Sequence, residues 1–77
     1  MAYTGRTRMD RKAICITIGR NISQRRQENR ISETALAFYL GIVPEQLLQY
    51  ENGNDSPTCD ELIALARLFG CSVDDLC

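Results

Sequence analysis

Residues 32–53 read SETALAFYLGIVPEQLLQYENG, and this stretch decides the fold. Ser32 is a preferred residue for the N-cap of a helix, and Gly41 suits the left-handed conformation in which many helices end. Pro44 suits the first position of a second helix, where its missing N–H costs nothing, and Gly53 follows the end of that helix. Because only three residues link the two elements, the sequence predicts two short helices joined by a tight turn.

The segment after this pair predicts a further helix and a short final turn. Residues 58–70 read TCDELIALARLFG, in which Thr58 and Glu61 have the spacing of a capping box. One face of this helix carries apolar residues at helical spacing, namely Leu62, Leu65, Ala66 and Phe69. The SVDDL that follows predicts a last turn, with Val73 and Leu76 closing the core.

The segment before the pair predicts the first helix, whose start is ambiguous. From Ile18 onward a helix is expected, because residues 20–29, RNISQRRQEN, lack the alternation of a strand and are rich in residues that tolerate a helix. Residues 13–17, AICIT, are compatible with an extra helical turn or with a short strand. Ile14 and Ile16 alternate as in a strand, whereas Ile14 and Ile18 lie four residues apart, as on one stripe of a helix.

The first residues of the chain, MAYTGRTRMDRK, are polar and basic and show no period. They predict a flexible basic N-terminal arm over residues 1–12, and the rest of the chain predicts one compact all-α domain over residues 13–77. The alternative for the arm is a disordered tail that only increases solubility. No apolar run approaches the length of a membrane span, and no secretory signal is present, so we expect a cytoplasmic protein.

Charge is distributed unevenly along the chain, although the formal net charge is only -1. Residues 1–30 carry eight basic and two acidic side chains, whereas residues 31–77 carry one basic and eight acidic side chains. A split of this size predicts a basic face or arm for an anionic partner, with nucleic acid as the first candidate. The alternative is that the two halves neutralise each other within the monomer or a dimer.

The cysteines and the absence of histidine argue against a metal site and against an enzyme. No CxxC pair occurs among the four cysteines, Cys15, Cys59, Cys71 and Cys77. Structural zinc sites usually take ligands in such close pairs, so we expect no metal and no cofactor. Cys71, in the apolar string LFGCSV, is expected to pack as a small hydrophobe, and a redox role of Cys77 stays open. We expect no enzymatic activity, since no nucleophile is clustered with a base.

Taken together, residues 18–76 resemble the Cro/phage-repressor type of helix-turn-helix domain, also called the XRE family. The resemblance lies in the order and spacing of many elements, none of which is diagnostic alone: Ile18, Ile22, Arg25 or Arg26, Ser32, Leu36-Ala37, Leu40-Gly41, Tyr50-Glu51, Gly53, Pro57, Leu62, Leu65-Ala66 and Gly70-Cys71-Ser72. It implies a five-helix, lambda-repressor-like fold. The second and third helices would form the helix-turn-helix, and residues 44–52 would enter the major groove of DNA.

The spacing within the third helix separates an inner from an outer face. Leu47 and Tyr50 are three residues apart and are expected to face inward. The residues expected to contact bases are Pro44, Glu45, Gln46, Leu48 and Gln49. Gln49 suits adenine, and Glu45 can accept a hydrogen bond from cytosine N4. The alternative for Glu45 is that it stabilises the helix dipole as an acid in the first turn.

The resemblance also implies a structural ion pair and a set of phosphate contacts. It pairs Glu51 with Arg26, which would keep that acid away from DNA. The expected phosphate contacts are Ser32, Glu33, Thr34, Asn52 and Asn54. Two of these places depart from the family pattern, because Glu33 stands where many members have Gln and the loop after Gly53 carries no Lys or Arg. Most of the cationic charge for DNA would then come from the arm, with Arg6, Arg8, Arg11 and Lys12.

These features predict a sequence-specific regulator of transcription, such as a repressor, that binds double-stranded DNA as a homodimer on a palindromic site. The dimer interface is expected either in the last helix and its tail, LFGCSVDDLC, or in AICIT. Neither a membrane nor a small-molecule ligand is expected as a partner. The alternative is a protein-binding helix-turn-helix, such as an adaptor, antirepressor or antitoxin-like partner, with little affinity for DNA.

Overall fold

The computed structural model describes the backbone of residues 2–77 and the side chains from residue 12 onward. Within this part of the chain all regular structure is helical, which confirms the predicted all-α class. The five helices are α1 (Ala2–Glu28), α2 (Glu33–Leu40), α3 (Pro44–Glu51), α4 (Cys59–Phe69) and α5 (Val73–Leu76). None of the described helices combines the length and the apolar composition that crossing a membrane requires.

Helix α1 is longer than the sequence predicted. Residues 13–17 are helical, which decides between the two alternatives for AICIT. The backbone of residues 2–12, predicted as an irregular arm, continues the same helix. Extending a helix that is already formed costs much less than nucleating a new one, so a packed segment can propagate into residues of ordinary helix propensity. Side chains of residues 1–11 lie outside the described part, and the division of the chain at residue 12 stays a prediction.

Local hydrogen bonds set the ends of α2 as the sequence predicted. The Ser32 hydroxyl accepts a hydrogen bond from the Ala35 N–H at 3.0 Å. At the other end, Gly41 adopts a left-handed conformation with φ of 73°. The Ile42 N–H then donates to the Ala37 carbonyl at 2.9 Å, which satisfies a carbonyl that the helix itself leaves free. The turn between α2 and α3 is therefore short and well defined.

Capping boxes begin both of the last two helices. The Thr58 hydroxyl accepts from the Glu61 N–H at 3.1 Å, and the Glu61 carboxylate accepts from the Thr58 N–H at 3.0 Å. This confirms the predicted start of α4. Ser72 and Asp75 form the same reciprocal pair at the start of α5, with both distances at 3.2 Å. Two donors at each helix start are satisfied in this way.

Each helix contributes one large, fully buried side chain to the centre of the core: Ile22, Leu36, Leu47, Leu65 and Leu76. Tyr50 is also buried, which confirms that the inner face of α3 consists of Leu47 and Tyr50. Val73 and Cys71 are partly buried against the same cluster. The short α5 thus closes the core, as predicted from SVDDL.

Helix α1 approaches the end of α3 unusually closely at Gly19. A β-carbon on Gly19 would overlap the Tyr50 carbonyl oxygen and would lie 2.8 Å from the Glu51 carbonyl oxygen. A second close contact joins α1 to the loop just after α3, because a β-carbon on Gly53 would lie 2.9 Å from Cα of Ile16. Backbone atoms cannot swing aside as side chains can. The position of α3 therefore depends on glycine at these sites.

We expect Gly19→Ala to lower the free energy of unfolding by more than about 2 kcal/mol, because the added methyl group forces α1 and α3 apart. This loss should exceed the gain of about 1 kcal/mol that Ala normally brings to a helix interior. Urea unfolding of both proteins at neutral pH measures the difference.

Gly41→Ala is the matched control, since no heavy atom lies within 4 Å of its added β-carbon. This variant should lower the free energy of unfolding by only about 1–2 kcal/mol, which is the cost of placing alanine in a left-handed conformation. A stable Gly19→Ala protein with an unchanged α3 would contradict the close-contact explanation.

Candidate nucleic-acid interface

The outer face of α3 is presented to solvent. Pro44, Glu45 and Gln49 are exposed, and Leu48 keeps 38% of its surface accessible. Gln46 is half-buried at the edge of this face. Four of the five residues predicted to contact bases thus form an open surface on an eight-residue helix. A helix of this size fits the major groove of B-DNA.

An ion pair ties the end of α3 to α1. The Arg26 guanidinium donates from Nε to Glu51 Oε2 at 2.8 Å and from Nη2 to Glu51 Oε1 at 3.3 Å. Arg26 also donates from Nη1 to the carbonyl oxygen of Ile31 at 3.1 Å. The hydrogen bond to Glu51 is the main cause that raises the pKa of Arg26 above its ordinary value. Glu51, with 7% of its side chain accessible, is part of the scaffold and faces away from the exposed surface of α3.

The same arginine lies near the acid that begins α2. Arg26 Nη2 is 3.7 Å from Glu33 Oε2, so the guanidinium partly offsets the negative charge of the carboxylate at this predicted phosphate contact. Ser32, the preceding residue, uses its hydroxyl oxygen as the helix cap and keeps its O–H as a donor. Thr34 is exposed in the first turn. Together these residues surround a helix start whose free N–H groups suit an anion.

The loop after α3 is held by Asp55. Its carboxylate accepts from Gln46 Nε2 at 2.8 Å and from the Ser56 N–H at 2.9 Å. The N–H of Asn54 donates to the Gln49 carbonyl at 2.9 Å, which continues the hydrogen bonding of α3 into the loop. Asn52 caps the helix and is exposed, as is Asn54. The amide of Gln46, a predicted base contact, is therefore already engaged with Asp55 in the free protein.

A third connection links α3 to α4. The Tyr50 hydroxyl donates to Glu61 Oε1 at 2.7 Å, and the same oxygen accepts from the Thr58 N–H. Burial and the hydrogen bond to the Glu61 carboxylate raise the pKa of Tyr50 to about 12. The capping box was visible in the sequence. The hydrogen bond from Tyr50 to Glu61 was missed, because Tyr50 lies eleven residues before Glu61 and only the fold brings the two together.

A family model described as helix-turn-helix matches residues 22–76. This model represents helix-turn-helix domains of the XRE type, which confirms the family resemblance predicted from the sequence. The chain belongs to the helix-turn-helix family. The matched segment includes the C-terminal part of α1 and the other four helices, so the family core begins well after the start of the first helix.

Two solved structures share the fold of this helix-turn-helix chain. The restriction-modification controller protein C.AhdI from Aeromonas hydrophila superposes with a TM-score of 0.77 at 20% identity, covering 88% of this chain and 99% of that one. The clp gene regulator ClgR from Corynebacterium glutamicum superposes with a TM-score of 0.75 at 21% identity, covering 82% of this chain and 67% of that one. No curated protein matches the chain. At these identities the likeness shows a common fold.

The cationic residues of this helix-turn-helix protein concentrate on α1. Lys12 and Arg20 are exposed, and Arg20 borders a groove of about 480 Å³ between α1 and the end of α3. Asn52, one of the predicted phosphate contacts, lines the same groove. Sequence reasoning did not place Arg20 beside α3, since their proximity depends on how α1 crosses that helix. The side chains of Arg6, Arg8 and Arg11 lie outside the described residues.

We expect Tyr50→Phe to lower the free energy of unfolding by about 1.5 kcal/mol at neutral pH, because a hydrogen bond to a charged group is lost. The loss should shrink at high pH. Tyrosine in the unfolded chain ionises near pH 10, whereas folded Tyr50 keeps its proton until about pH 12. The stabilisation by Tyr50 is thus present below pH 10 and disappears as the pH rises through 12.

Urea unfolding of wild type and Tyr50→Phe between pH 7 and 11 measures this difference, and the comparison cancels the other groups that titrate. Tyr39→Phe is the control, because the Tyr39 hydroxyl makes only a long bond of 3.4 Å to the Ala64 carbonyl in an exposed setting. It should change stability by less than about 0.5 kcal/mol. A constant gap between wild type and Tyr50→Phe across this range would refute the assignment.

Proposed function

We propose that this protein is a sequence-specific regulator of transcription that binds double-stranded DNA with α3 in the major groove and acts as a homodimer on a palindromic operator. The observation that carries the proposal is the way α3 is held. Gly19, Arg26 and Glu61 hold its inner side from two neighbouring helices, while its outer side stays open. Reading bases requires side chains on a rigid element, since hydrogen bonds to base edges tolerate little displacement.

Membership of the helix-turn-helix family supports this function, and the two structures with the same fold are those of a clp gene regulator and of a restriction-modification controller protein. A homodimer follows from energetics, because one small module buries little surface on DNA, whereas a two-fold pair reads two half-sites about 34–36 Å apart. The residues assigned to base contacts are Gln49, Glu45, Leu48 and Pro44. Gln46 can join them only if its bond to Asp55 is exchanged for one to a base.

A second function is favoured by the apolar residues exposed around the turn between α2 and α3. Phe38 keeps 86% of its surface accessible, Val43 keeps 60% and Leu48 keeps 38%. With the exposed acid Glu45 beside them, these residues suit a protein partner better than a polyanion. The second candidate is therefore a protein-binding adaptor, antirepressor or antitoxin-like partner with little affinity for DNA.

Selection of binding sites from a random duplex library separates the two functions. The regulator should enrich a palindrome, and Gln49→Ala should then relax preference at one base pair in each half-site by about 1–3 kcal/mol. The control is Gln24→Ala, which removes a glutamine that is hydrogen-bonded to Glu28 on α1. It should leave the selected sequence unchanged. Enrichment of no sequence by the wild-type protein would favour the adaptor.

The same selection with Glu45→Gln decides between the two interpretations of that residue. If Glu45 accepts from cytosine, the variant should change the preferred base at that position. If it only stabilises the helix dipole, the variant should lose a few tenths of a kcal/mol of stability and keep the same site.

The salt dependence of binding tests the basic arm. We expect Arg6, Arg8 and Arg11 changed together to Gln to weaken all duplexes alike. In the homodimer six arginines are lost, so the slope of log affinity against log salt should fall by up to about 5, since each phosphate contact contributes about 0.9. Fluorescence anisotropy from 50 to 300 mM KCl, roughly, spans the useful range. Arg67→Gln, in the last turn of α4, is the control for lost charge. An unchanged slope would mean that residues 1–12 act only as a solubilising tail.

A further inference from the structure

Gln46 and Asp55 are joined where the loop after α3 folds back on the helix. The Gln49 carbonyl accepts from the Asn54 N–H at 2.9 Å and from the Asp55 N–H at 3.3 Å, which places the loop backbone against α3. Gln46 Nε2 donates to Asp55 Oδ2 at 2.8 Å, a distance typical of a hydrogen bond to a charged acceptor. Because Gln46 and Gln49 are three residues apart, they are neighbours on the surface of α3. The bond therefore lies at the edge of the face predicted to contact bases.

The carboxylate of Asp55 is held in place by the backbone of its own loop. Its two oxygens are used separately, since Oδ2 accepts from Gln46 and Oδ1 accepts from the Ser56 N–H at 2.9 Å. The loop is also fixed at its start, where a β-carbon on Gly53 would lie 2.9 Å from Cα of Ile16 on α1. Asp55 is thus an acceptor of fixed position beside Gln46.

This acceptor decides which way the amide of Gln46 points. A carboxylate can only accept hydrogen bonds, so the NH2 group of the amide must face Asp55. Tyr50 gives a second indication: burial and the hydrogen bond to Glu61 raise the pKa of Tyr50, whereas a hydrogen bond with Gln46 lowers it. A bond that lowers the pKa of a phenol is donated to its oxygen, and only the NH2 end of an amide can donate. The donors of Gln46 are therefore directed at Asp55 and Tyr50.

A glutamine needs both ends of its amide to recognise adenine. The NH2 group donates to adenine N7, and the carbonyl oxygen accepts from the amino group at N6. Gln46 has no free NH2 group for this contact while it is bonded to Asp55. Among the described residues, release would leave the Asp55 carboxylate with the Ser56 N–H as its donor, in the field of the DNA phosphates. This cost favours keeping the amide on Asp55 in the complex.

We propose that Asp55 is a positioning residue that restricts the base specificity of this protein by holding Gln46 away from adenine. The inference rests on the proposed function and refines its contact surface. It leaves the choice of bases to the exposed residues of α3 and withholds a residue that helical spacing also offers. Removal of the carboxylate then creates a base preference, which loss of a merely structural contact would not do.

Selection from a random duplex library compares the wild-type protein with Asp55→Ala. The variant should gain a preference of about 10-fold for adenine at one further base pair of each half-site, since one bidentate contact becomes available. Asp55→Ala combined with Gln46→Ala should lose this new preference. Asp60→Ala is the matched control for lost negative charge, because Asp60 is also exposed and lies five residues further along the chain. It should gain no preference.

The outcomes separate failure of the inference from failure of the proposed function. An Asp55→Ala protein that selects the wild-type palindrome without a new preference would overturn the inference and leave the regulator standing. A wild-type preference that Gln46→Ala alone removes would do the same. Enrichment of no sequence by any of these proteins would refute the regulator, and the role of Asp55 in the choice of bases with it.

Nuclear magnetic resonance of the full chain tests the hydrogen bond without DNA. The side-chain N–H resonances of Gln46 should shift in Asp55→Ala and keep their positions in Asp60→Ala. The backbone resonances of α3 in the same spectra report whether each variant is folded. Unchanged Gln46 side-chain resonances in a folded Asp55→Ala protein would overturn the inference whatever DNA the protein selects.

Discussion

Helix α1 meets the last turn of α3 backbone to backbone, and the other contacts of the exposed helix depend on this approach. Gly19 permits it, and Arg26 lies two turns further along the same side of α1, where it binds Glu51. Steric exclusion sets the distance between the helices, and the ion pair sets their rotation. Since α3 has only eight residues, it cannot keep its position by its own stability. Its geometry is imposed by α1.

Several acids of the C-terminal part are engaged inside the protein. Glu51 is bound by Arg26, Glu61 accepts from Tyr50 and from the backbone of Thr58, and Asp55 holds Gln46 and the Ser56 N–H. These carboxylates act as acceptors for particular donors and connect α3 to its neighbours. The number of acidic residues in the sequence therefore overstates the negative charge on the outer face of α3. On that face Glu45 is the exposed acid.

Features set by local hydrogen bonding could be predicted from the sequence. The N-cap at Ser32, the left-handed end at Gly41 and the capping box of α4 depend on residues within a few positions of one another, and all three are present. Residues 13–17 were ambiguous because β-branched side chains suit both a strand and a helix. They are mostly exposed, and propagation of the helix from the packed segment that follows them decided the outcome.

Features that depend on tertiary contact were not predictable. Nothing marks Gly19 in the sequence as a contact residue, since glycine inside a helix usually only weakens it. The bond between Gln46 and Asp55 requires the path of a loop, and the one between Tyr50 and Glu61 requires the crossing of α3 and α4. The residues predicted to contact bases were chosen from helical spacing and the family resemblance. These place most of them on the solvent-exposed face of α3 but do not reveal which amide groups are already hydrogen-bonded.

Because α1 is one continuous helix, it fixes both the distance and the rotation between the surface around Ile14 and the contact with α3. One unbroken helix joins Ile14 to Gly19, so anything fixed at Ile14 is also fixed in rotation relative to α3. Each residue between them contributes about 1.5 Å of rise and about 100° of turn. Inserting one residue directly after Ile14 would leave the core contacts of Ile18 and Ile22 available, yet would rotate the surface around Ile14 by about 100° to another side of the molecule. The number of residues in this segment is thus itself a structural parameter, independent of their identity.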